Sequence, residues 1–238
     1  MRSLSYDLHI HSCLSPCGDD DMTPANIAGM CALIGLDVIA VTDHNTCKNC
    51  PAVLAAAKDY GLLAIPGMEL CTSEEVHVLC LFENLEGAMD FDRYVENRLI
   101  RMPNNEEIFG HQYIYDCDDH ICGSYPWLLI NATDISFDDV FELTGKYGGI
   151  MIPAHIDKDS TSLLSNLGFI PPDSRFTCAE VKNASMTETL QSKHPYLEHC
   201  RIITNSDAHD LGHIHEAVYR LHASEKNIPD ILKSLTLR

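Results

Sequence analysis

The sequence predicts an α/β fold whose parallel strands carry their chemistry at their C-terminal ends. Three observations predict it: short apolar runs alternate with helical patterns, capping residues mark helix boundaries, and histidines and carboxylates recur where the apolar runs stop. The first run, residues 4–11, ends on Asp7-Leu8-His9-Ile10-His11 and predicts a strand. Thr23 and Pro24 supply an N-cap and a first-turn proline for a helix over 24–33, and Gly35 sits where that helix should stop. A strand over 37–42, a helix over 51–60 and two strands over 62–70 and 76–82 follow. This is the punctuation of βαβ units, which implies parallel strands.

The middle breaks that rhythm. Residues 89–101 have helical spacing, and 110–130 form a polar, aromatic, Gly- and Pro-marked stretch that predicts a hairpin or lid. Residues 84–135 are therefore expected to be an insertion that lines or covers the site. After Ser136, an N-cap, the alternation resumes: helix 137–146, strand 149–153, helix 160–167, strand 176–181, a helical patch near 187–198, strand 201–204 and a last helix over 227–235. No internal repeat, low-complexity tract or flexible linker divides the chain, so a single domain is expected over 1–238.

Of the 238 residues 45% are hydrophobic, ample for a packed core. No apolar run approaches the ~18–20 residues of a membrane span, and the first residues lead into a strand rather than a signal peptide. A cytoplasmic protein with no membrane partner is expected. Sixteen basic residues against 35 acidic ones give a net charge of −19, which repels phosphate backbones unless metal ions intervene. A small phosphorylated substrate is thus expected rather than long nucleic acid, and part of the acidity is what a polynuclear metal site requires. The 11 cysteines, odd in number and without a secretory segment, are expected as reduced thiols. Cys47-x-x-Cys50 lacks the second pair of a zinc ribbon and reads as ordinary thiols.

His9-x-His11 is the first sign of a metal site. Alternate strand residues point the same way, about 6–7 Å apart at Cα, so two imidazoles can share one cation. The later runs end in the same chemistry: Asp43-His44, Glu69, His77, His155, and Asp207 with His209. Random placement would scatter such residues along the elements, whereas these fall where a βα barrel gathers its site.

As an ordered set, Asp7-Leu8-His9-Ile10-His11-Ser12, Thr42-Asp43-His44, Pro66-Gly67-Met68-Glu69, Glu75-Val76-His77-Val78-Leu79, Pro153-Ala154-His155 and Ser206-Asp207-Ala208-His209 resemble the motifs of the PHP family. The family is named for polymerase and histidinol phosphatase, and the resemblance spans nearly the whole chain. It implies a distorted seven-stranded, TIM-like (β/α)7 barrel holding two to three divalent ions, zinc, manganese or iron. It puts His9, His11, Glu69 and Asp207 on one ion, with Glu69 bridging to a second ion held by His77 and His155. A third ion would use His44, His209 and an early acidic residue. The bridging role suits a carboxylate, which offers two oxygens to ions ~3.5–4 Å apart.

The early acidic ligand departs from the family pattern, whose Ser-Asp-Gly is replaced here by Ser15-Pro16-Cys17-Gly18-Asp19-Asp20-Asp21. Counting back from the helix start selects Asp19, with Cys17 and Asp20 as alternatives; Cys17 would favour a softer metal such as zinc. Asp7 and Asp43, beside ligands, are expected to orient imidazoles. His111, His120, His194, His199, His213, His215 and His222 lie outside the motifs and read as surface or loop residues.

A carboxylate-bridged metal pair lowers the pKa of bound water from about 15.7 to about 7, so no protein nucleophile is needed. None is evident: the chain has neither Gly-x-Ser-x-Gly nor a Gly-x-x-x-x-Gly-Lys phosphate loop. The expectation is a metal-dependent phosphoesterase acting on phosphate monoesters or small phosphodiesters. Histidinol phosphate, nucleotides and short oligonucleotides all fit. Asp207 or His209 would relay the proton, and Lys158 and Arg175 are the cations placed by sequence to meet phosphate, surface solvation being their alternative. The rival reading is a non-catalytic metal-binding regulatory or scaffold domain.

Overall fold

The computed structural model describes residues 1–236. β1 (Arg2–Ile10) leads to α1 (Pro24–Ile34), β2 (Val38–Val41), α2 (Cys50–Asp59), β3 (Leu63–Ala64), β4 (Gly67–Cys71) and β5 (His77–Phe82). The middle holds α3 (Leu85–Glu96), α4 (Glu106–Phe109), β6 (Tyr113–Tyr115) and β7 (Ile121–Ser124). Then come α5 (Phe137–Lys146), β8 (Gly149–Pro153), α6 (Leu163–Leu167), β9 (Cys178–Glu180), α7 (Thr187–Lys193), β10 (Arg201–Ile203), β11 (Arg220–Ala223) and α8 (Ile228–Thr236). The first helix starts and stops as its sequence dictates. The Thr23 hydroxyl accepts from the Asn26 N–H, Pro24 opens the first turn, and Gly35 closes the helix at φ 88°, a left-handed conformation natural to glycine.

Among the described residues the strands form four ladders, ordered β11-β1-β2-β3, β4-β5-β8, β9-β10 and β6-β7. β1 to β3 pair in parallel, as do β9 and β10. β5 departs from the expected parallel frame by running antiparallel to both β4 and β8. Its connection explains this: residues 72–76 are far too few for a crossover, which needs a dozen or more. Pro66 splits the expected strand over 62–70, because it has no N–H to continue the ladder; β3 stays with β2 while β4 pairs with β5. β11, antiparallel to β1, was not anticipated, since only Leu221 and Ala223 of its four residues are buried.

Among the described residues the strands form short, unclosed sheets, so the expected closed (β/α)7 barrel is not seen. Backbone hydrogen bonds join the sheets near their C-terminal ends, among them Glu69 N–H to Asp43 O at 3.1 Å, Ile156 N–H to Glu180 O at 2.9 Å, and Asp207 N–H to His9 O at 2.9 Å. β5 shows how the layers pack. Val78, Cys80 and Phe82 face a cluster with Phe91 and Val95 of α3 and Val140 of α5, while Leu79 and Leu81 face an interior cluster with Leu8, Ile152 and Ile203. Both faces are covered, which accounts for a near-continuous apolar run.

The 84–135 segment is stitched to the loops that follow β1 and α1-linked β2. Tyr113 N–H donates to Cys13 O at 3.1 Å, and the Asn45 amide donates to Leu129 O and Asn131 O at 2.7 and 2.8 Å. Asn49 bridges Ser12 Oγ and Tyr113 O and accepts from the Tyr115 N–H. Gly110, at φ 85°, lies so close to Pro16 that a Cβ there would sit 2.7 Å from its carbonyl oxygen. No helix among the described residues is long and apolar enough to cross a membrane.

Candidate metal centre

The strand ends bring the motif histidines together. Leu8 and Ile10 of β1 go to the core, so His9 and His11 alternate toward a common point, both fully buried. Their Nε2 atoms lie 3.1 Å apart. His9 Nε2 is 3.3 Å from Glu69 Oε1 and 3.4 Å from Asp207 Oδ1; His11 Nε2 is 3.4 Å from Glu69 Oε2 and 3.3 Å from Asp207 Oδ1. Donors about 2.0–2.1 Å from a tetrahedral cation sit about 3.3 Å from one another. The His9 and His11 nitrogens match that spacing to each other, to Glu69 and to Asp207.

Glu69 also faces the other way. Its Oε1 is 2.9 Å from His77 Nδ1 and 2.9 Å from His155 Nε2, and its Oε2 is 2.9 Å from His44 Nδ1. The last contact is not a hydrogen bond: His44 Nδ1 and Glu69 Oε2 are both buried without a hydrogen-bond partner. Leaving such atoms unpaired costs about 1–3 kcal/mol each. A divalent cation against both would remove that cost, so the donor set fits metal. His11, His44 and His209 form a further group whose ring nitrogens lie within 4.8 Å of one another, with the His11 and His209 rings stacked at 4.3 Å.

His77 is the first residue of β5, and it reaches the centre because β5 is reversed: its beginning lies beside its neighbours' ends. His155 and Asp207 hold left-handed backbones, at φ 31° and 56°. Strain of this kind costs on the order of 1–3 kcal/mol and persists where the surroundings over-determine the residue.

The imidazoles are held from behind. The Ser15 hydroxyl donates to Asp43 Oδ1 at 2.8 Å, so its lone pair faces His11 Nδ1 at 2.9 Å. His11 Nδ1 must then carry the proton, and Nε2 keeps its lone pair for the centre. Asp43 thus acts on the ring through Ser15, as well as accepting from Ser12 N–H and Oγ. Asp7 acts on backbone instead, accepting from the N–H groups of Ser206 and His215.

Charge and burial compete throughout. Burial alone would raise the Glu69 carboxyl, but the imidazoles of His77, His9 and His44 hold it well below the usual carboxylate range. Burial alone would raise the Asp207 carboxyl too, but His9 and His11 hold it well below the usual carboxylate range. His77 is pushed down by burial, yet the Glu69 carboxylate raises it to about 10. In metal-stripped protein this interaction stabilises fully below the unfolded histidine value of about 6.5 and is lost as pH rises through about 10. Melting curves of chelated protein should show that decline, and His77→Asn should flatten it.

The remaining sequence-predicted residues divide. Lys158 Nζ is 3.0 Å from Asp207 Oδ2, at the rim of the centre. Asp19 is exposed; its N–H donates to His209 O at 2.8 Å, while its carboxylate stands outside the ligand groups. Cys17 keeps an exposed surface, but burial of its thiol and the nearby Glu69 charge push it up to about 12. Asp20 pairs with His111 at 3.0 Å. Arg175 is not brought to the centre. It precedes β9, at the end of that strand opposite Glu180, where it pairs with Glu142 at 2.6 Å and lies over the Phe141 ring.

Sequence reasoning missed Glu180. This carboxylate, 1% exposed, contacts His9 Nδ1 with both oxygens, at 3.1 and 3.0 Å. The available signal was a lone acid inside the apolar run 176–181, where an unpaired charge would be prohibitive.

Buried imidazoles grouped around a shared carboxylate, on an α/β frame, make a donor set that could hold metal ions. The PHP domain profile matches residues 7–234, and the chain belongs to that family. An uncharacterized protein of Methanocaldococcus jannaschii is 29% identical over 123 residues, 48% of this chain and 71% of that protein. Among solved structures, the lesion-specific endonuclease Q of Pyrococcus furiosus is similar over 99% of this chain, with a TM-score of 0.68 and 20% identity; the chain spans 56% of that enzyme. An endonuclease Q complex with a 27-mer duplex bearing an abasic lesion at the active site has a TM-score of 0.66 at 18% identity, covering 98% of this chain and 56% of the other. A candidate metal-dependent phosphoesterase from Bifidobacterium adolescentis has a TM-score of 0.62 at 18% identity over 96% of each chain. At these identities the structural likeness is one of fold.

Proposed function

We propose that this chain is a metal-dependent phosphoesterase that hydrolyses phosphate monoesters or small phosphodiesters. The observation that carries this reading is Glu69, buried with imidazoles against both oxygens and three of its contacts, to His9, His11 and His44, unexplained by hydrogen bonding. When bound, divalent ions there supply Lewis acidity and lower the pKa of coordinated water toward about 7.

The residues divide the work. His9, His11, Glu69 and Asp207 hold one ion, and Glu69, His77 and His155 the second. His44 and His209 hold the third, with Asp19 as its acid and Cys17 or Asp20 as the alternatives. Lys158, a flexible point charge about a third exposed, is placed to meet phosphate oxygens. Asp207 and the half-buried His209 are the groups placed to pass a proton to the leaving oxygen. Arg175, committed to Glu142, has no part in this reading. Residues 84–135 supply one wall of a cavity of about 600 Å³ lined also by Cys17, Asp19 and Asp20, and we assign substrate choice to that wall.

Nucleic acid belongs among the candidate substrates. The endonuclease Q fold accommodates a DNA duplex, and net charge sums over a whole surface while ions act locally on a phosphate. The acidic balance is therefore no ground for excluding it.

The test is metal content by mass spectrometry on protein purified without added metal, paired with a hydrolysis panel. The panel holds histidinol phosphate, nucleotides, short oligonucleotides, a duplex with an abasic site and an aryl phosphate. Two to three ions per chain with turnover is the expected result. Fully metallated protein that is inert toward the whole panel with zinc, manganese and iron alike would replace the enzyme by a regulatory or scaffold domain.

A further inference from the structure

We infer that Glu180 is the positioning residue of this centre, a carboxylate that locks His9 in its ligating tautomer and ties the ligand-bearing strand ends to one another. The inference rests on the metal-centre reading above. Glu180 is the last residue of β9. Its Oε1 and Oε2 lie 3.1 and 3.0 Å from His9 Nδ1, at the end of β1. Its Oε2 accepts the His155 N–H at 2.8 Å, just beyond β8, and its Oε1 accepts the Asn205 side-chain amide at 2.7 Å, just beyond β10. Asn205 in turn accepts the Leu8 N–H through Oδ1 at 2.8 Å, closing the circuit back to β1.

The consequence for His9 follows from donor and acceptor counting. An ionised carboxylate only accepts, so His9 Nδ1 must carry the proton, which leaves the Nε2 lone pair facing His11, Glu69 and Asp207. Burial opposes ionisation of Glu180, but its hydrogen bonding to His9 and the nearby His155 hold the carboxyl below its usual range. His9 is thus backed by a carboxylate directly, whereas His11 is backed by Asp43 through the Ser15 hydroxyl. A carboxylate behind a ligating imidazole orients the ring and raises its basicity, and losing it typically lowers metal affinity about 10–100-fold.

Glu180 acts on two ligand sets at once. His9 belongs to the first and His155 to the second, and Glu180 holds the ring of one and the backbone of the other. The strained φ of 31° at His155 is therefore pinned from the same carboxylate that sets the His9 tautomer. Glutamine cannot replace it. It offers one oxygen to three donors, and its own NH₂ must face either the Asn205 amide or the His155 N–H, whichever way the side chain lies.

The experiment compares Glu180→Gln and Glu180→Asp with wild type by chelator competition for zinc and by the absorption spectrum of cobalt-substituted protein. Glu180→Gln should bind zinc about 10–100-fold more weakly with an altered cobalt spectrum. Glu180→Asp, which keeps the charge at shorter reach, should recover part of the affinity. At saturating metal, the Gln variant should show a lower kcat with little change in KM. Unchanged zinc affinity and cobalt spectrum in both variants, or a lower Tm of the metal-free protein as the sole effect, would overturn the inference. Should Glu180→Gln fail to fold, Glu180→Asp and the zinc-loaded wild type decide: absence of a protected His9 Nδ1–H in proton NMR overturns it as well. Wild-type protein that binds zinc without hydrolysing any substrate would remove the phosphoesterase reading while leaving the affinity comparison intact.

Discussion

Glu69→Gln should lower kcat/KM by about 10³-fold or more and reduce the number of ions held per chain, because the substitution keeps the side chain's shape but not its two acceptors. In the native protein Oε1 is approached by His9, His77 and His155, and Oε2 by His11 and His44. Glutamine must turn its NH₂ toward one of these groups, so one set of imidazoles loses its anionic partner whichever way the amide lies. A 10³-fold loss corresponds to about 4 kcal/mol of transition-state stabilisation, within the several kcal/mol that a metal centre supplies. Steady-state kinetics with metal analysis of the same preparation checks this. A Gln variant that keeps two ions and wild-type turnover would sink the bridging role.

Removing the metal should lower the melting temperature by about 8–16 °C. A ligand present at 1,000 times its Kd adds about 4 kcal/mol to the folded state, and a domain of this size shifts by about 2–4 °C per kcal/mol. The direction follows from the structure: without cations, His44 Nδ1 and Glu69 Oε2 remain buried and unpaired, and the imidazoles crowd one another at ring separations of 4.3 to 5.7 Å. Calorimetry before and after dialysis against a chelator measures the shift, and added zinc or manganese should restore it. A melting temperature insensitive to both would mean that the folded chain does not hold ions at this cluster.

Much of the centre is legible in the sequence because ligands must sit at strand ends, and strand ends are where apolar runs stop. His9, His11, His44, Glu69, His155, Asp207 and His209 follow from that rule, whereas His77 opens its strand, and the structure brings all eight to one region. Strand direction is less legible. A period of two reads the same in both directions, so the reversal of β5 was encoded only in the shortness of residues 72–76. β11 left too small a trace, with two apolar positions in four residues. Arg175 shows the limit of reading proximity from the chain: a cation close in sequence to a strand can stand at its wrong end. Glu180 shows the converse. Its role depends on partners 171 and 25 residues away, which no local pattern displays.

β1 carries His9 and leads straight into His11, two of the proposed ligands, but gains its neighbours from β2 and from β11, and His9 O receives the Asp207 N–H. Ribosomes add about 5–20 residues per second, so about 10–40 s pass between the emergence of residue 10 and that of residue 223. Throughout that interval the nascent chain presents His9 and His11 with one strand edge open, and for most of it without Asp207. Long-range closure of this kind makes folding slow, and it places metal capture late in the protein's biogenesis. Chaperones that shield the growing chain, and the supply of free cations at the moment of its release, would therefore become part of what determines which ion the finished protein takes up.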